Sequence, residues 1–344
     1  METPFRRAKR SPSGGVMRVT RAVRALAATT TAVAACAAAS LTVAAPAQAA
    51  VTRVQTTVEI RCAFTMLNQS ADWYFPSGTP KGLVWLQHGF VRANDHVADL
   101  AGEYASEGYL VFAPTLPSAH IFGCTLQNIG NNTDFLGNVA DLFGKASHPN
   151  DKLGRSLAKA KAEAGRPDVT MPSSMVFSGH SAGGEAVTYV ADKVRTGYPS
   201  AWTGLRGLVL LDPVKSFIGS NLVTGLRGVD GTGRQIRTIS APDGTCNNSG
   251  SGTDAVQAEV NDPFVGVRLR NGAHTDAEGS STDSVGTIAC GTPKAPNITA
   301  LQTFAVAWAK DAFNGTQTPG YLPGGAYYQS LLSAGTIETL NGAS

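Results

Sequence analysis

Apolar positions alternate through Val54, Thr56, Val58 and Ile60, the period of a half-buried strand, and Asp72, Trp73, Tyr74 and Phe75 begin a second, short strand. Pro76, Gly78, Pro80 and Gly82 then mark a turn. Residues 83–87, 109–114, 205–211, 234–240 and 264–269 form further short strand-like runs, and the run at 264–269 is expected to be the last strand. Helical spacing occupies 94–107, much of 123–165 (with the amphipathic run 153–164), 185–194, and 299–313 with Leu301, Phe304, Ala305 and Trp308 facing inward. The Gly-rich tail from Asn314 is expected to be loosely held. Parallel neighbours need a crossover long enough to hold a helix, and continuously apolar strands need cover on both faces. The pattern therefore predicts an α/β chain with a mainly parallel sheet and ligands at the carboxyl ends of its strands.

One junction in this pattern carries chemistry. The apolar run at 173–178 leads directly into Gly179-His180-Ser181-Ala182-Gly183-Gly184, and a helix follows. A strand, a Gly-x-Ser-x-Gly turn and a helix place the serine hydroxyl at the tip of a tight bend. A Cβ at position 179 or 183 would crowd that crossing. A serine hydroxyl is a weak nucleophile until a base takes its proton, and the base needs an acid to hold its tautomer.

His88, Ser181, Asp212, Asp243 and His274 all fall at or just past predicted carboxyl ends. His96, His120 and His148 precede the serine; His88 and His180 flank turns where main-chain direction, not the side chain, is expected to matter. His274 fits the chain order serine, acid, histidine. Asp212 and Asp243 each close a strand and are both candidates for the acid, while Asp276 and Glu278 are expected to shape the His274 loop. The backbone N–H groups of Phe90 and Ala182 are the expected donors to a developing oxyanion. Apolar side chains around Phe90 and Ile121-Phe122 are expected to pack in the core, with the lining of an acyl pocket as the alternative.

Composition changes the picture at the amino end. Seven Lys/Arg residues precede or enter an Ala-rich run that ends in Ala47-Gln48-Ala49, the pattern of a secretory leader over 1–49. Met17 is an alternative start, Cys36 an alternative lipid-anchor site, and a single-pass anchor or a twin-arginine route the weaker readings. The remainder, 50–344, is expected to be a single domain with no stable membrane span. Of 28 basic and 25 acidic residues, seven and one lie in the leader, leaving 21 and 24, a net charge of −3. No basic patch then argues for nucleic acid.

Four of the five cysteines follow the leader, and an exported chain favours two disulfides, expected as Cys62–Cys124 and Cys246–Cys290 because each links neighbouring segments. No Cys-x-x-Cys or His-Glu-x-x-His spacing suggests a metal, and the serine chemistry needs no cofactor. Asn68, Asn131, Asn247, Asn297 and Asn314 match the glycosylation triplet and are read as chance matches.

Leu86-Gln87-His88-Gly89-Phe90, the 108–114 segment, the Gly-His-Ser elbow, Leu211-Asp212-Pro213-Val214 and His274-Thr275-Asp276 together resemble the α/β-hydrolase superfamily, and within it the chlorophyllase-like branch. The resemblance spans about residues 83–291. It implies the α/β-hydrolase fold and places the triad acid in the Asp-Pro-Val segment, hence Asp212. Ala182 stands where chlorophyllases typically carry Arg, and Lys215-Ser216 where they carry Asp-Gly. These departures adjoin the site and argue against chlorophyll as substrate. The expected function is a secreted serine ester hydrolase acting on a small-molecule, lipid or polymer ester. The alternatives are acyl transfer through the same three side chains, or a non-catalytic binding protein on a hydrolase scaffold.

Overall fold

A computed structural model describes residues 51–343. The leader, with Cys36 and Met17, lies outside the described residues. Strands β1 (Thr52–Cys62), β2 (Thr65–Phe75), β3 (Leu83–Gln87), β4 (Leu110–Pro114), β5 (Met175–His180), β6 (Leu205–Leu211), β7 (Gln235–Ser240), β8 (Gly266–Leu269) and β9 (Ile337–Leu340) form one nine-stranded sheet in the order β1-β2-β4-β3-β5-β6-β7-β8-β9. From β4 through β3 to β8 every pairing is parallel; β1, β2 and β9 join antiparallel at the two edges. The chain leaves β3 outward to β4 and returns on its other side as β5, so the strand order reverses there. Such a reversal opens a crevice at the carboxyl ends of the flanking strands.

Helices α1 (Ala98–Ser106), α2 (Thr133–Gly144), α3 (Lys152–Glu163), α4 (Ala182–Gly197), α5 (Pro199–Gly204), α6 (Asn221–Val229), α7 (Ser251–Glu259), α8 (Ser284–Cys290), α9 (Ala295–Asn314) and α10 (Ala326–Ser333) complete the described residues, with short 3₁₀ turns between them. The pleat sends alternate side chains to opposite cores. Trp85, Leu110 and Phe112 pack with α2, α3 and α4, whereas Val84, Leu86 and Val111 pack with α1 and α9. Trp85 stacks on Phe143 at 4.6 Å and meets Phe177 edge-on at 5.0 Å, all fully buried. Aromatic pairs of this kind add roughly 0.5–1.5 kcal/mol each beyond their buried area.

Two expectations are corrected. β2 is eleven residues long rather than short, because its polar first half pairs with β1 beyond the end of β4. The chain after Asn314 is not loosely held: Tyr328 is buried in α10, and β9 pairs antiparallel with β8, making 264–269 the penultimate strand. A four-residue edge strand whose partner lies some seventy residues back leaves no local periodicity to read.

Candidate active site

The junction between β5 and α4 is strained where the motif predicts it. Ser181 has φ 58° and ψ −126°, a conformation costing roughly 1–3 kcal/mol in a non-glycine residue. Its backbone is held on three sides: its N–H donates to Leu211 O at 3.0 Å, and its carbonyl accepts from Gly184 N–H and Val214 N–H. The neighbouring glycines are sterically required. A Cβ at Gly179 would lie 2.4 Å from Gly183 O, and one at Gly183 would lie 2.5 Å from the Gln87 and His88 carbonyls. Gly89 is equally constrained, since its Cβ would meet Ser181 Cβ at 2.9 Å.

On the adjacent strand, Asp212 also has a positive φ, 42°. Its N–H donates to Ile239 O. Its carboxylate is almost wholly buried, and Oδ2 lies 2.5 Å from His274 Nδ1. The Ala241 N–H donates to Oδ1 at 3.0 Å, and Asn247 Nδ2 lies 3.3 Å from both oxygens. The carboxylate thus accepts from the imidazole N–H on one oxygen and from these donors on both. Asp243, the other candidate, has a 57 % exposed side chain paired with Arg268 at 3.5 Å. The structure therefore brings Asp212, not Asp243, to His274.

The two expected oxyanion donors lie just after β3 and β5, the neighbouring parallel strands. Ala182 opens α4, where first-turn N–H groups have no intrahelical acceptor. The Phe90 N–H has no hydrogen-bond partner among the described residues. Val91 beside it has φ 58°, unusual for a β-branched residue, and its N–H donates to Ser118 Oγ at 2.7 Å. The side chains of Phe90, Ile121 and Phe122 are 40, 89 and 47 % exposed, so the expected core packing is overturned. They sit in loops beyond the strand ends, where Phe122 is covered in part by Phe64 and His120.

The side chains of His88 and His180 matter more than the sequence suggested. His88 is fully buried; Nδ1–H donates to Gly89 O at 2.7 Å and Nε2 accepts from Leu116 N–H at 3.0 Å. Using both ring nitrogens this way requires the neutral form, and burial lowers its pKa to about 4. His180 donates through Nε2 to the His274 carbonyl at 2.9 Å, and its ring lies 4.6 Å from that of His274. Burial, then the charge of His274, lowers its pKa to about 4.

Glu278 faces His180 Nδ1 at 3.9 Å and takes a two-pronged contact from Arg92. Burial opposes its charge, but the attraction of His180 in its protonated form and of the Arg92 guanidinium outweighs it and lowers the pKa of the carboxyl. Asp276 shapes the same loop as expected: it accepts from Ala273, Lys294 and Asn297. Asn247 and Asn297 are buried with their amides engaged, which agrees with reading their triplets as chance.

Both expected disulfides, Cys62–Cys124 and Cys246–Cys290, are present. The second ties the loop of Asn247 to the segment whose Gly291 carbonyl accepts from Thr275 Oγ1. Among the described residues one group has metal-ligand spacing, Cys62, His120 and Cys124, but both of its sulfurs are in the disulfide. A groove of about 580 Å³ runs beside His274, between Pro242 and Cys246 on one side and Ala289 to Lys294 on the other. No family model matches the chain, and no curated protein matches it.

Proposed function

We propose that this chain is a secreted serine ester hydrolase, carboxylesterase- or lipase-like, of the chlorophyllase-like branch of the α/β-hydrolase superfamily. The observation that carries the reading is the 2.5 Å contact of Asp212 Oδ2 with His274 Nδ1, beside the strained Ser181 turn. An Nδ1–H held by a carboxylate leaves Nε2 with its lone pair, the tautomer a general base needs. His274 Nε2 takes the Ser181 proton as Oγ bonds to the ester carbonyl carbon. The carbonyl electrons move to oxygen, and the N–H groups of Ala182 and Phe90 donate hydrogen bonds to that oxyanion; one such donor is typically worth about 10²–10³ in rate. Collapse breaks the bond to the alcohol, which leaves with the proton from His274. Water then repeats the sequence on the acyl-enzyme, and no cofactor enters.

Two disulfides favour an oxidising compartment, and no helix of the described residues is long and apolar enough to cross a membrane. The test is intact-protein mass after fluorophosphonate treatment. One phosphonyl group is expected on the protein and none on Ser181→Ala. An unlabelled, folded protein would overturn the reading.

A further inference from the structure

Every large apolar side chain at least 40 % exposed among the described residues lies at the end of the sheet that carries Ser181. Phe64 tips the β1–β2 hairpin, which overhangs that end because Ala71 is already level with Pro114, the last residue of β4. Ile121 and Phe122 follow β4, Phe217 follows β6, and Ile288 lies on α8; the others neighbour these or sit just after β3. Exposed apolar side chains scattered singly are ordinary; the confinement of all the large ones to one end is not.

The loops that bear them are braced. Phe64 and Phe122 meet edge to face at 5.0 Å above the Cys62–Cys124 disulfide. Asn128 N–H donates to Ser216 Oγ at 3.0 Å, joining the loops after β4 and β6. α8 is anchored by Cys246–Cys290 and by Arg92 on Asp283 at 3.0 Å. A pre-organised apolar surface loses little freedom when it is covered, which favours docking.

The chemistry of the rim selects its partner. Four of the loops that bear these side chains, 63–71, 115–133, 213–225 and 284–293, contain no Asp, Glu or Arg and a single Lys, Lys215, in a chain that is 15 % charged; the exposed charges beside them at that end include Asp95, Asp243 and Asp283, all acidic. These loops also contain no Trp or Tyr. Protein interfaces concentrate Tyr, Trp and Arg anchors, and anionic bilayers select basic clusters and aromatic belts. An uncharged hydrocarbon phase asks for neither. Ser181 is only 6 % exposed, so a reacting ester must leave its own phase and enter the crevice, which a fluid permits and a solid resists.

We propose that this end of the molecule docks on the surface of a neutral-lipid droplet and that Ser181 draws its ester from that surface. The substrate step rests on the ester-hydrolase reading; the docking does not.

The experiment floats the Ser181→Ala protein, which consumes nothing, with a triolein emulsion. A second protein adds Phe64→Ser, Ile121→Ser, Phe217→Ser and Ile288→Ser, each at a side chain at least 84 % exposed. Flotation of the first and a loss of roughly tenfold or more in the second are expected, with the unfolding midpoint moving by less than about 3 °C. The pairs Phe64→Ser/Ile121→Ser and Phe217→Ser/Ile288→Ser, on separate loops, are each expected to lower flotation several-fold. Equal flotation of all variants would overturn the proposal, as would tighter binding of Ser181→Ala to phosphatidylserine vesicles or a polycaprolactone film than to triolein. A protein that floats but takes no fluorophosphonate loses the esterase reading and keeps the surface; one that is labelled but stays in solution does the reverse.

Discussion

Arg92 forks onto Glu278, Nε to Oε1 at 2.8 Å and Nη2 to Oε2 at 2.7 Å, with the two side chains 10 and 2 % exposed. The pair ties the loop after β3, which carries Phe90, to the loop after β8, which carries His274. The two halves of the site come from residues 186 apart in sequence, and this bridge fixes their spacing.

Arg92→Met should therefore damage both stability and turnover. It leaves a buried carboxylate without its counter-charge, an effect of about 3–5 kcal/mol. Thermal unfolding should show a midpoint lower by several degrees, and kcat/KM for p-nitrophenyl butyrate should fall. Replacing both partners, as Arg92→Met/Glu278→Leu, should recover much of the stability but not the turnover. Equal stability of Arg92→Met and the parent would show that the bridge carries no load.

Acid should destabilise the fold in two stages. His88 and His180 are neutral in the fold down to about pH 4, whereas unfolded histidine protonates near 6.5. Between those values only the unfolded chain binds the proton. Their contribution is complete above about pH 6.5, declines as pH falls to about 4, and amounts to roughly 3 kcal/mol per histidine. Glu278 has the opposite charge type and a lowered folded pKa, so its contribution is present above its unfolded pKa and is lost as pH falls through the folded value. Urea unfolding at pH 7, 5 and 4 should trace this decline, and His88→Gln should flatten it between 6.5 and 4.

The two candidate acids should separate cleanly in kinetics. Asp212→Asn should lower kcat by about 10⁴, as loss of a tautomer-setting carboxylate does elsewhere. Asp243→Asn, at an exposed side chain, should stay within about twofold. Asn247→Asp places a second carboxylate against Asp212. Like charges in one buried site raise a pKa, so the acid limb of the kcat/KM profile should move to higher pH.

Removing the second disulfide, as Cys246→Ser/Cys290→Ser, should cost about 4 kcal/mol by the loop-closure relation for 44 residues. Because that bridge holds the loop of Asn247 against the Gly291 segment, ester turnover should fall even well below the unfolding temperature. Full activity in a merely less stable protein would show that the bridge does not position the site.

The central strands were legible in the sequence because a strand buried on both faces leaves a short continuous apolar run between Gly and Pro punctuation. The elbow was legible for a local reason too: Gly179, Ser181 and Gly183 are spaced by the sterics of one bend. The cysteine pairing followed from proximity along the chain. Legibility failed where partners are remote. β9 belongs to the sheet only because β8 offers it an open edge, and Arg92 carries no mark in sequence of its bond to Glu278.

Asp212 and Asp243 illustrate the same limit. Each ends a strand of the same sheet, so periodicity assigns them equal positions, and the family resemblance alone favoured Asp212. The positive φ of Asp212 and the donors at Ala241 and Asn247 aim one carboxylate at His274, while Asp243 turns out to Arg268. Local sequence determined the alternation, the elbow and the apolar character of the loops, because each depends on near neighbours. Tertiary structure decided which acid meets the histidine, what His88 and His180 hold, and that the exposed apolar residues share one end. Those outcomes depend on where the crossovers return the chain, and no window of sequence contains that information.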